Sequence, residues 1–187
     1  MPQYHNHKCC FTHIPKSAGS SIHKILSGSN RYSSHRRIVK DTKYKNYFKF
    51  TFVRNPWDRF LSTYFYFKKY GRDGARDVRM GKIVNEYKTF KHFTLNFNDI
   101  KAWPTQHWSE QVSWEPEAHD FIGRFESLQE DFNTVCDKIG IPRQELPHSN
   151  KSEHKHYTEY YDEETKQIIA EKYAKDIEYF GYNCLNK

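Results

Sequence analysis

No stretch of this chain approaches the ~18 consecutive apolar residues of a membrane-spanning helix, and its first residues, MPQYHNHKCC, hold no apolar signal core. A soluble cytoplasmic protein without a membrane span is therefore expected. The four cysteines, Cys9, Cys10, Cys136 and Cys184, form no C-x-x-C pair and have no histidines at ligand spacing. That argues against a zinc site and a disulfide framework, so reduced thiols are expected. No internal repeat, low-complexity tract or linker interrupts the sequence, which reads as a single domain over 1–187. Apolar residues are also scarce, at 36% with a mean hydropathy of -0.99. Disorder is nonetheless excluded by 14 Tyr, 14 Phe and 4 Trp, because aromatics bring large buried area to a chain long enough to hold a core.

The net charge of +7 and pI near 9.1 suit an anionic partner: nucleic acid, an anionic glycan or a polyanionic cofactor. No block of Arg or Lys alone stands out as a nucleic-acid arm. The alternation in Lys43–Lys49 (KYKNYFK) could stack and neutralise a single strand, but it weighs more as an edge strand with solvated lysines. No nucleic-acid partner is expected.

What the sequence does offer is a phosphate cradle. Lys8–Thr12 (KCCFT) reads as a short buried strand, and Ser20–Ser27 carries Ile22, Ile25 and Leu26 at helical spacing. Between them lies His13-Ile14-Pro15-Lys16-Ser17-Ala18-Gly19-Ser20-Ser21, a loop with hydroxyls, a cation and a glycine. At a strand–loop–helix join, the free N–H groups of the first helical turn and the positive end of the helix dipole face the loop, where an anion can sit. Gly19 lets the backbone approach, and Ser20 and Ser21 can add donors. The loop is not a Walker A motif, which places its lysine directly after the second glycine; here Lys16 precedes Gly19.

A second strand, Lys49–Val53, ends at Arg54-Asn55-Pro56-Trp57-Asp58-Arg59-Phe60-Leu61-Ser62. Asn55 suits a helix cap, Pro56 the first helical position and Asp58 the third. Arg54 stands at the strand's end, where a planar guanidinium can grip a phosphate through two parallel hydrogen bonds. The helix runs on to Lys69 through an aromatic girdle read as core. Gly81–Ile100 reads as two short helices roofing an acceptor cleft, and Ala102–Glu115 as a loop rich in Trp. That loop suits sugar recognition, with a Trp-anchored structural loop as the equal alternative. Asp120–Phe125 reads as a strand and Glu126–Gly140 as a helix. Leu146–Tyr157 reads as a polar loop, and Asp162–Phe180 as one amphipathic helix packed on the sheet. His35–Thr42 reads as a short helix. Strands that precede helices, with phosphate loops at their ends, predict an α/β fold with a P-loop-NTPase-like parallel sheet flanked by helices.

The two phosphate motifs resemble those of the sulfotransferases that use 3′-phosphoadenosine 5′-phosphosulfate (PAPS). H-I-P-K-[ST]-A-G-[ST]-[ST] is similar to their 5′-phosphosulfate loop, and R-N-P-W-D-R-[FL]-[VL]-S to their 3′-phosphate motif. The nearest likeness is to the carbohydrate and heparan sulfate 2-O-sulfotransferase branch and its small bacterial members. The resemblance runs from His13 to Tyr182, and Ile122-Gly123-Arg124-Phe125-Glu126 belongs to it as a structural phrase. It implies that Lys16, Ser17, Ala18, Gly19, Ser20 and Ser21 hold the phosphosulfate, that Arg54 and Ser62 hold the 3′-phosphate, and that Asn150, Lys151 and Ser152 close over the nucleotide. It implies acceptor contacts for His107, Trp108 and Gln111. Lys16 would stabilise charge on the leaving oxygen, no metal would be required, and a histidine would serve as base, with His35 first and His107 second. His13 more naturally holds the loop's shape. Two other readings stand beside this one: a P-loop-like nucleotide kinase or hydrolase, which the missing Walker lysine disfavours, and a noncatalytic basic domain binding glycan or nucleic acid. The acceptor, a glycan or small molecule, and the oligomeric state are not legible.

Overall fold

The computed structural model describes residues 3–29, 44–70, 75–100, 106–147 and 155–185. The chain forms two compact units from interleaved segments, Met1–Arg54 with Ser109–Lys151, and Asn55–Trp108 with Ser152–Lys187.

The first unit is mixed α/β, with a four-stranded sheet in the order β1-β2-β3-β4. Its strands are β1 (Gln3–Tyr4), β2 (Cys9–Thr12), β3 (Phe48–Val53) and β4 (Phe121–Arg124). β2 pairs parallel with β3, Cys9 opposite Phe48, and β3 pairs parallel with β4, Val53 opposite Arg124. The expected parallel sheet needs one correction: β1 is an antiparallel edge strand, Tyr4 opposite Cys9. A single turn of 3-10 helix at His5–His7, closed by Lys8 in left-handed geometry at φ 46°, reverses the chain within reach of its own strand.

All four residues of β2 are buried, as expected of a central strand covered on both faces. Side-chain alternation sends Cys9, Phe11, Phe50 and Phe52 into one core with Ile22 and Leu26 of α1 (Gly19–Ser27) and Phe132, Val135 and Cys136 of α5 (Leu128–Ile139). Phe11 and Phe50 stack there at 5.0 Å between ring centroids. Each such buried ring contributes roughly 1.5–3 kcal/mol relative to exposure. On the opposite face Cys10 packs with Tyr44, and His119 is held between the Thr12 hydroxyl at 2.7 Å and the Glu115 carbonyl at 2.9 Å.

The second unit is helical: α2 (Pro56–Tyr70), α3 (Ala75–Glu86), α4 (Phe90–Leu95), α6 (Glu163–Lys172) and α7 (Ala174–Phe180). Asn55 starts α2 as its sequence implies, its side-chain oxygen accepting from the Trp57 N–H at 3.1 Å. The core is the aromatic girdle, where Phe60 and Tyr64 of α2 meet Phe90 and Phe93 of α4. The segment read as two helices over 81–100 begins earlier, at Ala75, and ends in a 3-10 turn at Phe97–Asp99.

The single terminal helix expected over 162–180 is instead α6 and α7, broken at Tyr173 (φ -116°, ψ 28°). The Tyr173 ring is buried and its hydroxyl donates to the Trp108 carbonyl at 3.1 Å, an anchor that takes the residue out of helical register. α6 packs on α2 and α4. Its start is a capping box, with Asp162 and Thr165 satisfying each other's backbone N–H. Among the described residues no helix is long and apolar enough to cross a membrane.

Candidate active site

The loop after β2 is bent by backbone conformations that side chains usually avoid. Lys16 sits at φ 69° and Ala18 at φ 60°, both left-handed and neither a glycine. Each costs on the order of 1–2 kcal/mol, so the surrounding structure must impose it. Such a turn directs successive N–H groups toward one point, a concavity suited to an anion. Ala18 is also the residue from which α1 starts, and no side chain caps that start among the described residues. Ser17 is 1% exposed, and its hydroxyl has no hydrogen-bond partner among the described residues. A buried hydroxyl without a partner costs about 1–3 kcal/mol, which a bound oxyanion would relieve.

Gly19 is glycine for steric reasons. A Cβ there would lie 1.7 Å from the His13 ring, which is itself buried and stacked on Phe11. His13 thus fills the space beneath the loop and fixes its height. The loop's residues fit an anionic phosphate or sulfate group: convergent donors, an unsatisfied hydroxyl and one ammonium.

Arg54 leaves β3 at the same end of the sheet. The residue is 8% exposed; its guanidinium lies 3.9 Å over the Phe125 ring and donates through Nη1 to the Lys16 carbonyl at 3.0 Å. Its backbone is held by Gln111, whose Oε1 accepts from the Arg54 N–H and whose Nε2 donates to the Arg54 carbonyl, each at 2.9 Å. β2, β3 and β4 are parallel, so the loop, Arg54 and Phe125 all follow the carboxyl ends of adjacent strands, the edge where open α/β sheets bind ligands. Burial, aided by the Arg54 charge, lowers the Lys16 pKa to about 8. Burial and the Arg54 charge both disfavour the charged form of Lys16, and a bound anion would favour it.

Comparison with known proteins gives this arrangement a lineage. A family model described as the sulfotransferase family matches residues 4–183. The chain belongs to that family. It is 28% identical to carbohydrate sulfotransferase 14 of Danio rerio, over 96% of this chain and 61% of that protein. It is 26% identical to human carbohydrate sulfotransferase 9, over 91% of this chain and 46% of that protein. An uncharacterized protein of Archaeoglobus fulgidus is 28% identical over 58% of this chain and 81% of its own length. The chain thus spans between 46% and 61% of the length of these two named relatives. No solved structure matches it.

Within this sulfotransferase-family chain, Lys16, Ser17, Ala18, Gly19, Ser20, Ser21 and Arg54 all belong to the first unit. Ser20 is exposed, whereas the Ser21 hydroxyl is committed to the Pro147 carbonyl at 2.8 Å. Ser62 is a buried residue of α2 in the second unit. His35, Asn150, Lys151 and Ser152 lie outside the described residues.

Two of the residues expected on the acceptor side have structural partners here. Gln111 is 0% exposed, and its amide bonds both the N–H and the carbonyl of Arg54, so it positions Arg54. Trp108 is buried against Phe60, Phe93 and Phe97, where its flat ring serves the second unit's core. The segment from Gln106 to Ala118 contains three 3-10 turns, in which Trp108, Trp114 and Pro116 are buried. His107 is half-buried, stacked on Tyr66 at 5.4 Å and edge-on to Phe67, with its carbonyl accepting from Arg59. Sequence reasoning missed Phe125 as the platform under Arg54. The signal was present in Arg124-Phe125, an aromatic at the end of the strand that neighbours Arg54.

Proposed function

We propose that this chain transfers the sulfuryl group of PAPS to a hydroxyl of a carbohydrate acceptor, on a P-loop-like sheet. The observation that carries the reading is the tie between the two phosphate motifs. Arg54 and the Lys16 loop are joined by one hydrogen bond, beside a buried hydroxyl without a partner among the described residues, as a ligand with two anionic ends would require. The names of the relatives, carbohydrate sulfotransferases 14 and 9, support the acceptor class.

In this reading the loop N–H groups, Ser17 and Lys16 hold the phosphosulfate and Arg54 the 3′-phosphate; Ser62 enters from the resemblance alone. PAPS, when bound, supplies the sulfuryl group and the leaving phosphate. Lys16 brings its ammonium to the oxygen on which charge grows, and its place at the front of the loop makes that stabilisation available without reorganisation. The left-handed backbone at Lys16 and Ala18 orients the donors before the ligand arrives. A neutral histidine takes the acceptor proton, with His35 as first choice and His107 as second. Gln111 acts through Arg54, fixing the strand end from which the guanidinium projects.

Titration calorimetry with 3′-phosphoadenosine 5′-phosphate, the desulfated product, against ATP tests the reading. Tight binding of the product over ATP is expected. Preference for ATP, or indifference to the 3′-phosphate, would overturn it and favour a nucleotide kinase or hydrolase.

A further inference from the structure

At the amino ends of β2 and β3, opposite the phosphate loop, the first unit holds a cavity of about 300 Å³. Asn6, His7 and Lys8 line it from the turn before β2, Asn46 from the turn before β3, and Lys138 from the last turn of α5. Phe48 and Ile139 add apolar surface. No carboxylate lines it, and the Lys8 and Lys138 side chains make no hydrogen bond or ion pair among the described residues. The adjacent cation is different, since Lys49 donates its ammonium to the Lys45 and Tyr47 carbonyls. Asp137, next to Lys138 in sequence, is paired with Arg143.

The volume is at the lower end of small-ligand sites. Two unpartnered ammonium groups select an anion, the amides and imidazole suit hydroxyls, and an aromatic with an aliphatic neighbour suits the apolar face of a sugar ring. Nucleic acid fits less well. The tyrosines of the 43–49 segment are not available as stacking platforms, because Tyr44 is buried, and Tyr47 packs on it at 5.2 Å and bonds His5 through its hydroxyl.

We infer that this cavity is a second binding site, for an acidic sugar unit bearing a carboxylate or sulfate, that anchors a polysaccharide away from the site of transfer. The choice of a sugar rests on the carbohydrate acceptor proposed above. Lys8 precedes His13 by five residues, four of them in β2, a separation of roughly 16 Å at ~3.3 Å per residue. A single sugar unit therefore cannot occupy both places, whereas an oligosaccharide can.

The test is titration calorimetry of the full chain with a chondroitin sulfate hexasaccharide, with the same hexasaccharide desulfated and carboxyl-reduced, and with a single-stranded oligonucleotide. The proteins are wild type, Lys8→Asn/Lys138→Gln and Arg54→Ala. Asparagine tolerates the left-handed backbone at position 8, and a thermal melt confirms that the double variant folds. Losing two charge-assisted contacts should weaken hexasaccharide binding on the order of tenfold in the double variant. Binding by Arg54→Ala should fall less than binding by the double variant, and the neutral hexasaccharide should not bind. Undiminished binding by the double variant, no binding by wild type, equal binding of the neutral hexasaccharide, or a preference for the oligonucleotide lost in the double variant would each overturn the inference. Because no donor is present, a failure of product binding to the phosphate loop is scored separately and removes only the donor reading.

Discussion

Arg54 donates to the carbonyl of Lys16 across 3.0 Å, so one motif's cation is hydrogen-bonded to the backbone of the other. Replacing Arg54 by Ala should therefore cost more than one phosphate contact, because the loop loses a brace as well. Product binding is expected to fall about 10- to 100-fold, the range for charge-assisted hydrogen bonds. Arg54→Lys should recover little of it, since a single ammonium cannot brace the loop, lie on Phe125 and grip a phosphate together. Calorimetry on the three proteins decides; full rescue by lysine would refute the bracing role.

Gly19→Ala drives a methyl into the His13 ring. The expected loss is about 1–3 kcal/mol of unfolding free energy, read by urea denaturation. His13→Ala makes room, so the double variant should be less destabilised than the sum of the single changes. Strict additivity would show that the ring does not set the loop height.

Gln111→Leu leaves the buried Arg54 N–H and carbonyl without their present partner. A stability loss of about 1–3 kcal/mol is expected, together with weaker product binding, although Gln111 would touch no ligand. Normal stability with weaker acceptor KM alone would restore Gln111 to the acceptor side.

Burial together with the nearby Arg54 charge holds the Lys16 pKa down at about 8, below the ordinary lysine range. In the free protein the ammonium is therefore lost as pH rises through 8, and product affinity should fall over that interval. Lys16→Arg keeps its charge throughout and should flatten the profile. The linkage for folding has the opposite sign. Between about 8 and the ordinary value near 10.5, the unfolded chain binds more protons at Lys16 than the folded chain does. The Lys16 contribution to stability thus rises with pH in that window and is flat below it. A comparison of denaturation at pH 7.5 and 9.5 in wild type and Lys16→Met would expose a wrong sign.

Much of the first unit was legible. Three strands and α1 follow from apolar runs bounded by turn residues, and the phosphate loop from its lysine, glycine and hydroxyls between them. β1 was not, because two residues at an edge carry no periodicity. The break at Tyr173 was hidden for a related reason: Ile168, Ile169, Tyr173 and Ile177 fit one helical stripe, while the bond from Tyr173 to Trp108 is a tertiary fact. At the site, a run of Trp, His and Gln reads equally as a sugar platform or as packing. In the structure Trp108 is buried in packing and Gln111 makes two bonds to the Arg54 backbone, tertiary facts that the run of residue types does not carry.

The interleaving of the units also orders events during synthesis. Lys16 and Arg54 are present once β3 has been made, but the Gln111 amide that clamps Arg54 is encoded 57 residues later. β4 and the Phe125 platform follow it, after the whole of α2, α3 and α4 has been inserted between. The site's final geometry therefore depends on sequence-distant pairing, the slow part of folding. An emerging or truncated chain that stops before Gln111 would carry both phosphate motifs and yet lack the support that makes them a site.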